Sequence, residues 1–310
     1  MKRNGLFALL ILLSLKSWSQ EIAQANDGVF QLSYANDFTS FSDKYYTNGV
    51  EFSLTIPAFS YSPFNPKPLK KSKYSESYHT LNFQYQVFTP DLKSDLFTDR
   101  PFSATMMLGS KHQYVYREKS LRITSELKLG LIGQAAGAGK LQNGLHDIMP
   151  GADPVNGWET QVQNDIGINY IIGFEKKLQF IEFVDIIAAT SAYLGTPYTK
   201  LDLEINIRVG QFEDYFNHLN NNRKRRWQAF ITTGIKGSAI AYNATIQGGL
   251  LNPNNPYVLD DINHWVMDLN VGIGLAYKNT SLSFVQHFIT PEFQGGTSHS
   301  WGDLQIVLRF

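Results

Sequence analysis

Three short blocks of this sequence carry side chains whose types and spacing could do chemistry. The first is Asn36-Asp37, followed after a gap by Tyr45-Tyr46-Thr47-Asn48-Gly49. Carboxylate, amide and hydroxyl oxygens from Asp37, Asn36, Asn48 and Thr47 form the kind of donor set that holds a hard cation such as Ca²⁺. Turn chemistry accounts for Asn, Asp and Gly at such places as well. The second block is Thr89-Pro90-Asp91 with Asp99-Arg100-Pro101-Phe102. Here the Arg100 guanidinium could grip a phosphate through two parallel hydrogen bonds, or pair internally with Asp99 or a neighbour. The third runs from Gly133 to Asn164 and contains Gln142, His146 and Gly157-Trp158-Glu159-Thr160-Gln161. Gln142 and His146 are four residues apart and share a face if this stretch is helical.

The blocks exclude some chemistries. There is no Gly-x-Ser-x-Gly elbow, and no serine stands beside His146. Gly133–Lys140 resembles a phosphate loop, but its spacing is one residue too long, and Leu141 stands where Ser or Thr would coordinate Mg²⁺. What remains is a histidine that activates water, with a bound cation stabilising the oxyanion.

Positioning these residues is the task of a strongly alternating chain. From Leu201 to Val209 every odd residue is apolar, while Lys200, Asp202, Glu204, Asn206 and Arg208 occupy the even positions. A β-strand sends successive side chains to opposite faces, so this segment has one apolar and one charged face. The pattern recurs at 28–36, 47–57, 78–89, 102–116, 120–132, 165–177, 179–193, 198–210, 226–238, 264–277, 280–290 and 301–310. Such faces can meet in a soluble sandwich core or turn outward to lipid. An even count near twelve, a carboxyl-terminal aromatic residue (Phe310) and abundant aromatics (16 Tyr, 21 Phe, 5 Trp) predict the second: an all-β, transmembrane antiparallel barrel. The mean hydropathy of −0.22 agrees, because only alternate residues of a barrel face lipid. With both termini in the periplasm, all three blocks fall on the outer rim. The connection 133–164 is long enough to be functional and to hold a short helix. The connections 58–77 and 211–225 should face the periplasm, and both are basic.

The amino terminus reads as a secretory signal over residues 1–19: Met1-Lys2-Arg3, an apolar run from Gly5 to Leu15, then Ser17-Trp18-Ser19 at the cleavage site. The mature chain, 20–310, is expected to be a single barrel domain. It has no cysteine, so it does not depend on disulfides, and its 27 basic and 27 acidic residues give no pull toward nucleic acid.

Taken in order, Asn36-Asp37, Tyr46-Thr47-Asn48-Gly49, Asp99-Arg100-Pro101-Phe102, the Gly-Ala-rich run before Gln142-x-x-x-His146, and Gly157-Trp158…Gln161…Asn164-Asp165 resemble the outer-membrane lipid A 3′-O-deacylase (LpxR) family. The resemblance implies a twelve-stranded outer-membrane barrel that removes the 3′-linked acyloxyacyl group from lipid A in a Ca²⁺-dependent reaction. By the same resemblance His146 is the general base, Asn36 and Asp37 place the cation with Asn48 alongside, and Thr47 and Gln142 orient groups around it. Arg100, Trp158 and Lys93, the last as nearest candidate for a family lysine, would contact the substrate. The implied partners are lipopolysaccharide of the outer leaflet and, through Phe310, the barrel-assembly machinery; the implied state is monomeric. A non-catalytic porin or ligand-binding barrel is the competing class.

Overall fold

The computed structural model describes residues 28–40, 44–61, 76–92, 98–146, 155–178, 181–217 and 227–310. The expected signal peptide lies outside the described residues. Twelve strands follow in chain order: β1 (Val29–Asn36), β2 (Tyr45–Thr55), β3 (Glu76–Thr89), β4 (Ser103–Tyr116), β5 (Leu121–Ile132), β6 (Asp165–Lys177), β7 (Val184–Gly195), β8 (Tyr198–Gln211), β9 (Trp227–Asn243), β10 (Trp265–Tyr277), β11 (Thr280–Ile289) and β12 (His299–Arg309). Each pairs antiparallel with its chain neighbour, and β12 returns to β1 with Val29 opposite Arg309 and Asn36 opposite Gly302. The sheet is therefore closed and has no free edge to expose backbone polar groups. Among the described residues, two α-helices sit in connections: α1 (Ala138–His146), as expected for the long loop, and α2 (Ala244–Gln247).

Two boundaries differ from the alternation. β7 begins at Val184, where Ile181 bridges Val184 around a tight turn; positions 179 and 180, where the alternation begins, lie outside the described residues. β9 continues past 238 to Asn243, which lies opposite Tyr198 of β8. The unmarked continuation of its alternation through Ile240 and Tyr242 carries the strand above its neighbours.

The apolar faces point outward. Leu203, Leu269 and Ile273 are all more than half exposed, whereas the alternating Asp202 and Asp268 are buried. No soluble fold leaves so continuous an apolar belt in water. Aromatics bracket the belt: Trp265 opens β10 at one end, and Tyr277 closes it at the other against Trp227 (ring centroids 4.4 Å). Twelve residue steps of ~3.3 Å at a strand tilt of ~45° span about 28 Å, the thickness of a hydrocarbon core.

The lumen is filled at both ends. At the short-turn end, the segment after β8 tucks inward. Phe216 is buried, the Tyr215 hydroxyl donates to Glu175 at 3.1 Å, and the Arg122 and Arg208 guanidinium groups lie over the rings of Tyr215 and Phe212 at 5.1 and 4.4 Å. Arg122 also ion-pairs with Glu175. At the long-loop end, Ile246 of α2 packs with Tyr45, Ile262 and Phe293. Between the two lies a polar cavity of about 610 Å³, lined among others by Glu51, Lys111, Glu126 and Lys200.

Val271, midway along β10 on the outer face, tests this reading. Val271→Arg should lower the unfolding free energy of the barrel refolded into vesicles by about 2–4 kcal/mol, while Trp265→Arg at the boundary should cost about 0–1 kcal/mol. Urea titration followed by tryptophan fluorescence measures both.

Candidate functional site on the outer wall

β1 and β2 bring the first block together. Asn36 and Asn48 are direct register partners, and both project from the outer, lipid-facing side together with Tyr34 and Val50. A β-bulge at Thr47, between Tyr46 and Asn48, resets the alternation. Tyr46 thereby faces the cavity, where its ring meets Trp301 edge-on at 5.2 Å, while Asn48 faces outward. Thr47 is buried and pins the bulge: its hydroxyl donates to Val87 O at 3.3 Å, and its carbonyl accepts from Asn36 Nδ2 at 2.8 Å. Asn48 Nδ2 donates to Tyr34 Oη at 3.3 Å.

Asp37 opens a short 3-10 turn, Asp37–Ser40, that folds over the outer face of β12. Its last residue holds it there, since Ser40 Oγ lies 2.8 Å from Ser300 O and 2.6 Å from Ser300 Oγ. Asp37 is buried and accepts Lys44 N on Oδ2 at 2.9 Å.

The third block lies on the other flank. The loop carrying α1 folds down over the outside of β3 and β4: Ala136, Ala138, Val155 and Trp158 pack on Tyr85, Val87, Phe102 and Ala104. Val87 is the register partner of Asn48, so this packing begins one strand away, about 5 Å from Asn48. Trp158 is the keystone. Its indole lies 4.8 Å from the Phe102 ring, and its Nε1 donates to Gln142 Oε1 at 2.9 Å. Two glycines make room. Gly157 adopts φ +106°, and a Cβ there would stand 2.6 Å from the Phe102 ring; a Cβ on Gly139 would stand 2.7 Å from Trp158. His146 is the last residue of α1, and its side chain lies outside the described residues, as does Lys93.

Arg100 is placed elsewhere. Expected to hold a substrate phosphate, its side chain is instead wholly buried within the capped loop end. It donates to Thr245 Oγ1 of α2 at 2.8 Å, pairs with Glu292 Oε2 at 3.3 Å and lies over the Phe88 ring at 4.5 Å. Asp99 does not pair with it; Asp99 accepts from Tyr45 Oη at 2.8 Å and from Asp91 N at 2.9 Å. The second block thus ties three connections together.

The result is a cleft on the outside of the barrel wall. Its floor is the outer face of β1 and β2, with the Asp37 turn on one side and the α1 loop on the other. The oxygen-bearing side chains here are the Asp37 carboxylate and the amides of Asn36 and Asn48, whose nitrogens are engaged in the bonds above. Among the described residues, no group of three or more His, Cys, Asp or Glu is gathered for a metal ion. Carboxylate and amide oxygens are the donor types that suit a hard divalent cation. Sequence reasoning missed Tyr34 and Tyr85, because nothing local marks a lipid-facing tyrosine as belonging to a site.

The fold has known counterparts. LpxR from Salmonella typhimurium matches with a TM-score of 0.71 at 20% identity, over 91% of this chain and 100% of that one. The β-domain of the Bordetella autotransporter Brka and the KdgM porin match with TM-scores of 0.43 and 0.40 at 10% and 7% identity. The former covers 92% of this chain and 98% of its own, the latter 91% and 99%. No curated protein sequence matches. The family profile described as "Outer membrane protein LpxR" matches residues 6–310, and the chain therefore belongs to the LpxR family of bacterial outer-membrane proteins.

Proposed function

We propose that this protein is a lipid A deacylase that hydrolyses the 3′-linked acyloxyacyl ester from the outer leaflet. The observation that carries this reading is the position of the polar pair Asn36–Asn48. It stands on the lipid-facing surface, beside the helix that bears Gln142 and His146, in a chain of the LpxR family. Polar side chains facing lipid are costly unless they serve a function, and an ester at the headgroup boundary of a lipid reaches this place without entering the barrel. The filled lumen ends speak for an enzyme of the wall over a porin.

In this mechanism His146 takes a proton from water as the water oxygen attacks the ester carbonyl; the carbonyl's bond to the sugar oxygen then breaks, His146 returns the proton to that oxygen, and the acyloxyacyl chain leaves as its acid. Ca²⁺, when held by Asp37 with Asn36 and Asn48, supplies the positive charge that stabilises the oxyanion. Thr47 acts through the bulge, since its bonds to β3 and to Asn36 fix where the amide stands. Gln142 is oriented by the indole N–H of Trp158, so Trp158 serves the site by positioning Gln142. The cleft faces the cell exterior, the protein acts as a monomer, and the exposed Phe310 at the other end is the assembly signal.

Expression in a Gram-negative outer membrane followed by mass spectrometry of lipid A tests the reaction. The expected result is loss of one hydroxyacyl-acyl unit, prevented by a chelator and by His146→Ala, with the heat-modifiable barrel intact on a gel. Unmodified lipid A from the folded wild type would overturn the reading; continued deacylation by the alanine variant would remove His146 as base. Trp158→Phe keeps the stack on Phe102 but deletes the donor to Gln142. It should lower kcat about tenfold, the equivalent of one hydrogen bond, with an unchanged unfolding midpoint.

A further inference from the structure

Several tyrosine hydroxyls among the described residues find partners. Tyr34 Oη contacts Asn48, Tyr45 donates to Asp99, Tyr170 contacts Ser125, Tyr215 donates to Glu175, and Tyr257 donates to Thr98 O. Tyr85 is the exception: among the described residues, it holds the buried tyrosine hydroxyl that makes no hydrogen bond. Tyr85 is 8% exposed and belongs to the cluster under the α1 loop. Its place relative to the site is fixed by register. Tyr85 lies opposite Val50 of β2, two residues from Val87, which lies opposite Asn48. It therefore stands one outward-facing row, about 7 Å, deeper along the wall than the Asn36–Asn48 pair. Burying a hydroxyl without a partner is unfavourable, and phenylalanine would fill the same space without that cost.

We infer that the Tyr85 hydroxyl is a specificity element of the deacylase site, donating a hydrogen bond to the oxygen that a 3-hydroxyacyl or acyloxyacyl chain carries near its carboxyl end. This rests on the lipid A reading above. With the scissile ester at the Asn36–Asn48 level, the next polar atom down the chain is that oxygen, and an unsubstituted acyl chain brings none. A site with a buried donor rejects a chain that cannot satisfy it. Reaching the hydroxyl moves the α1 loop outward from β3, so the substrate supplies the partner that the closed loop withholds.

The test uses the full-length barrel in detergent with two lipid A analogues that share the scissile ester. One carries an oxygen substituent at the third carbon of the released chain; the other carries none. Wild type should cleave the oxygenated analogue with kcat/KM at least tenfold higher. Tyr85→Phe should lose most of that preference by slowing on the oxygenated analogue alone, with an unfolding midpoint equal to or above that of wild type. A hydroxyacyl analogue beside an acyloxyacyl one shows which oxygen is read. An unaltered preference in Tyr85→Phe, with wild type active, overturns the inference and leaves the deacylase reading standing. Wild type cleaving neither analogue overturns both.

Discussion

Hydrocarbon supplies no hydrogen-bond partners, so every backbone N–H and C=O that crosses it must pair within the protein. The rest of this structure follows from that constraint. It forces twelve strands to close on themselves, with β12 returned to β1, and the period of two then sorts the side chains, apolar to lipid and charged to the lumen. The inward charges are tolerable because they neutralise one another. Glu126 stands between Lys111 and Lys128, Asp185 between Lys177 and Arg208, and Asp268 between Lys236 and His287. Aromatic side chains complete the filling from the Tyr215 segment on one side and the α2 cap on the other.

A wall so strictly sorted leaves little room for a polar site on its lipid side. The bulge at Thr47 supplies one. A single extra residue gives Tyr46 to the lumen and Asn48 to the exterior, and the freed Thr47 carbonyl anchors Asn36 across the register. Two loops then make a cleft of what would otherwise be a flat surface. The Asp37 turn is held on β12 by Ser40, and the α1 loop is held on β3 and β4 by Trp158 and Phe102. Each flank rests on strand, which sets where the groups between them stand.

The loop end is held by a different device. Arg100, Thr245 and Glu292 come from three separate connections and meet in one buried contact. Removing either charge would leave the other desolvated, which makes such a pair a strong determinant of loop arrangement even where its net stabilisation is small. Tyr45, Asp99 and Asp91 extend the tie back to the start of β2, close to the bulge. The residues that shape the site and those that hold the loops are thus neighbours in sequence with separate tasks.

Strand number, order and facing were legible because period-two alternation is a local property, repeated wherever the chain crosses lipid; ten of the twelve strands lie within three residues of the alternation at each end. The motif pairs were legible too: Gln142 does lie on a helix, and Asn36 does meet Asn48 across a hairpin. Burial and partnership were not. Arg100 reads from its own neighbourhood either as a phosphate ligand or as an internal ion-pair partner, and the partners it takes stand 145 and 192 residues away. Trp158 reads as a substrate contact, and only the fold shows its indole N–H donating to Gln142. Tyr85 is an ordinary outward strand residue until a loop fifty residues downstream covers it and leaves its hydroxyl unpaired. The sequence by itself determined the barrel and the end at which its motif residues gather, because facing depends only on adjacent residues. The tertiary structure decided which of those residues reach the lipid-facing cleft, because that depends on which distant loop lies over each one.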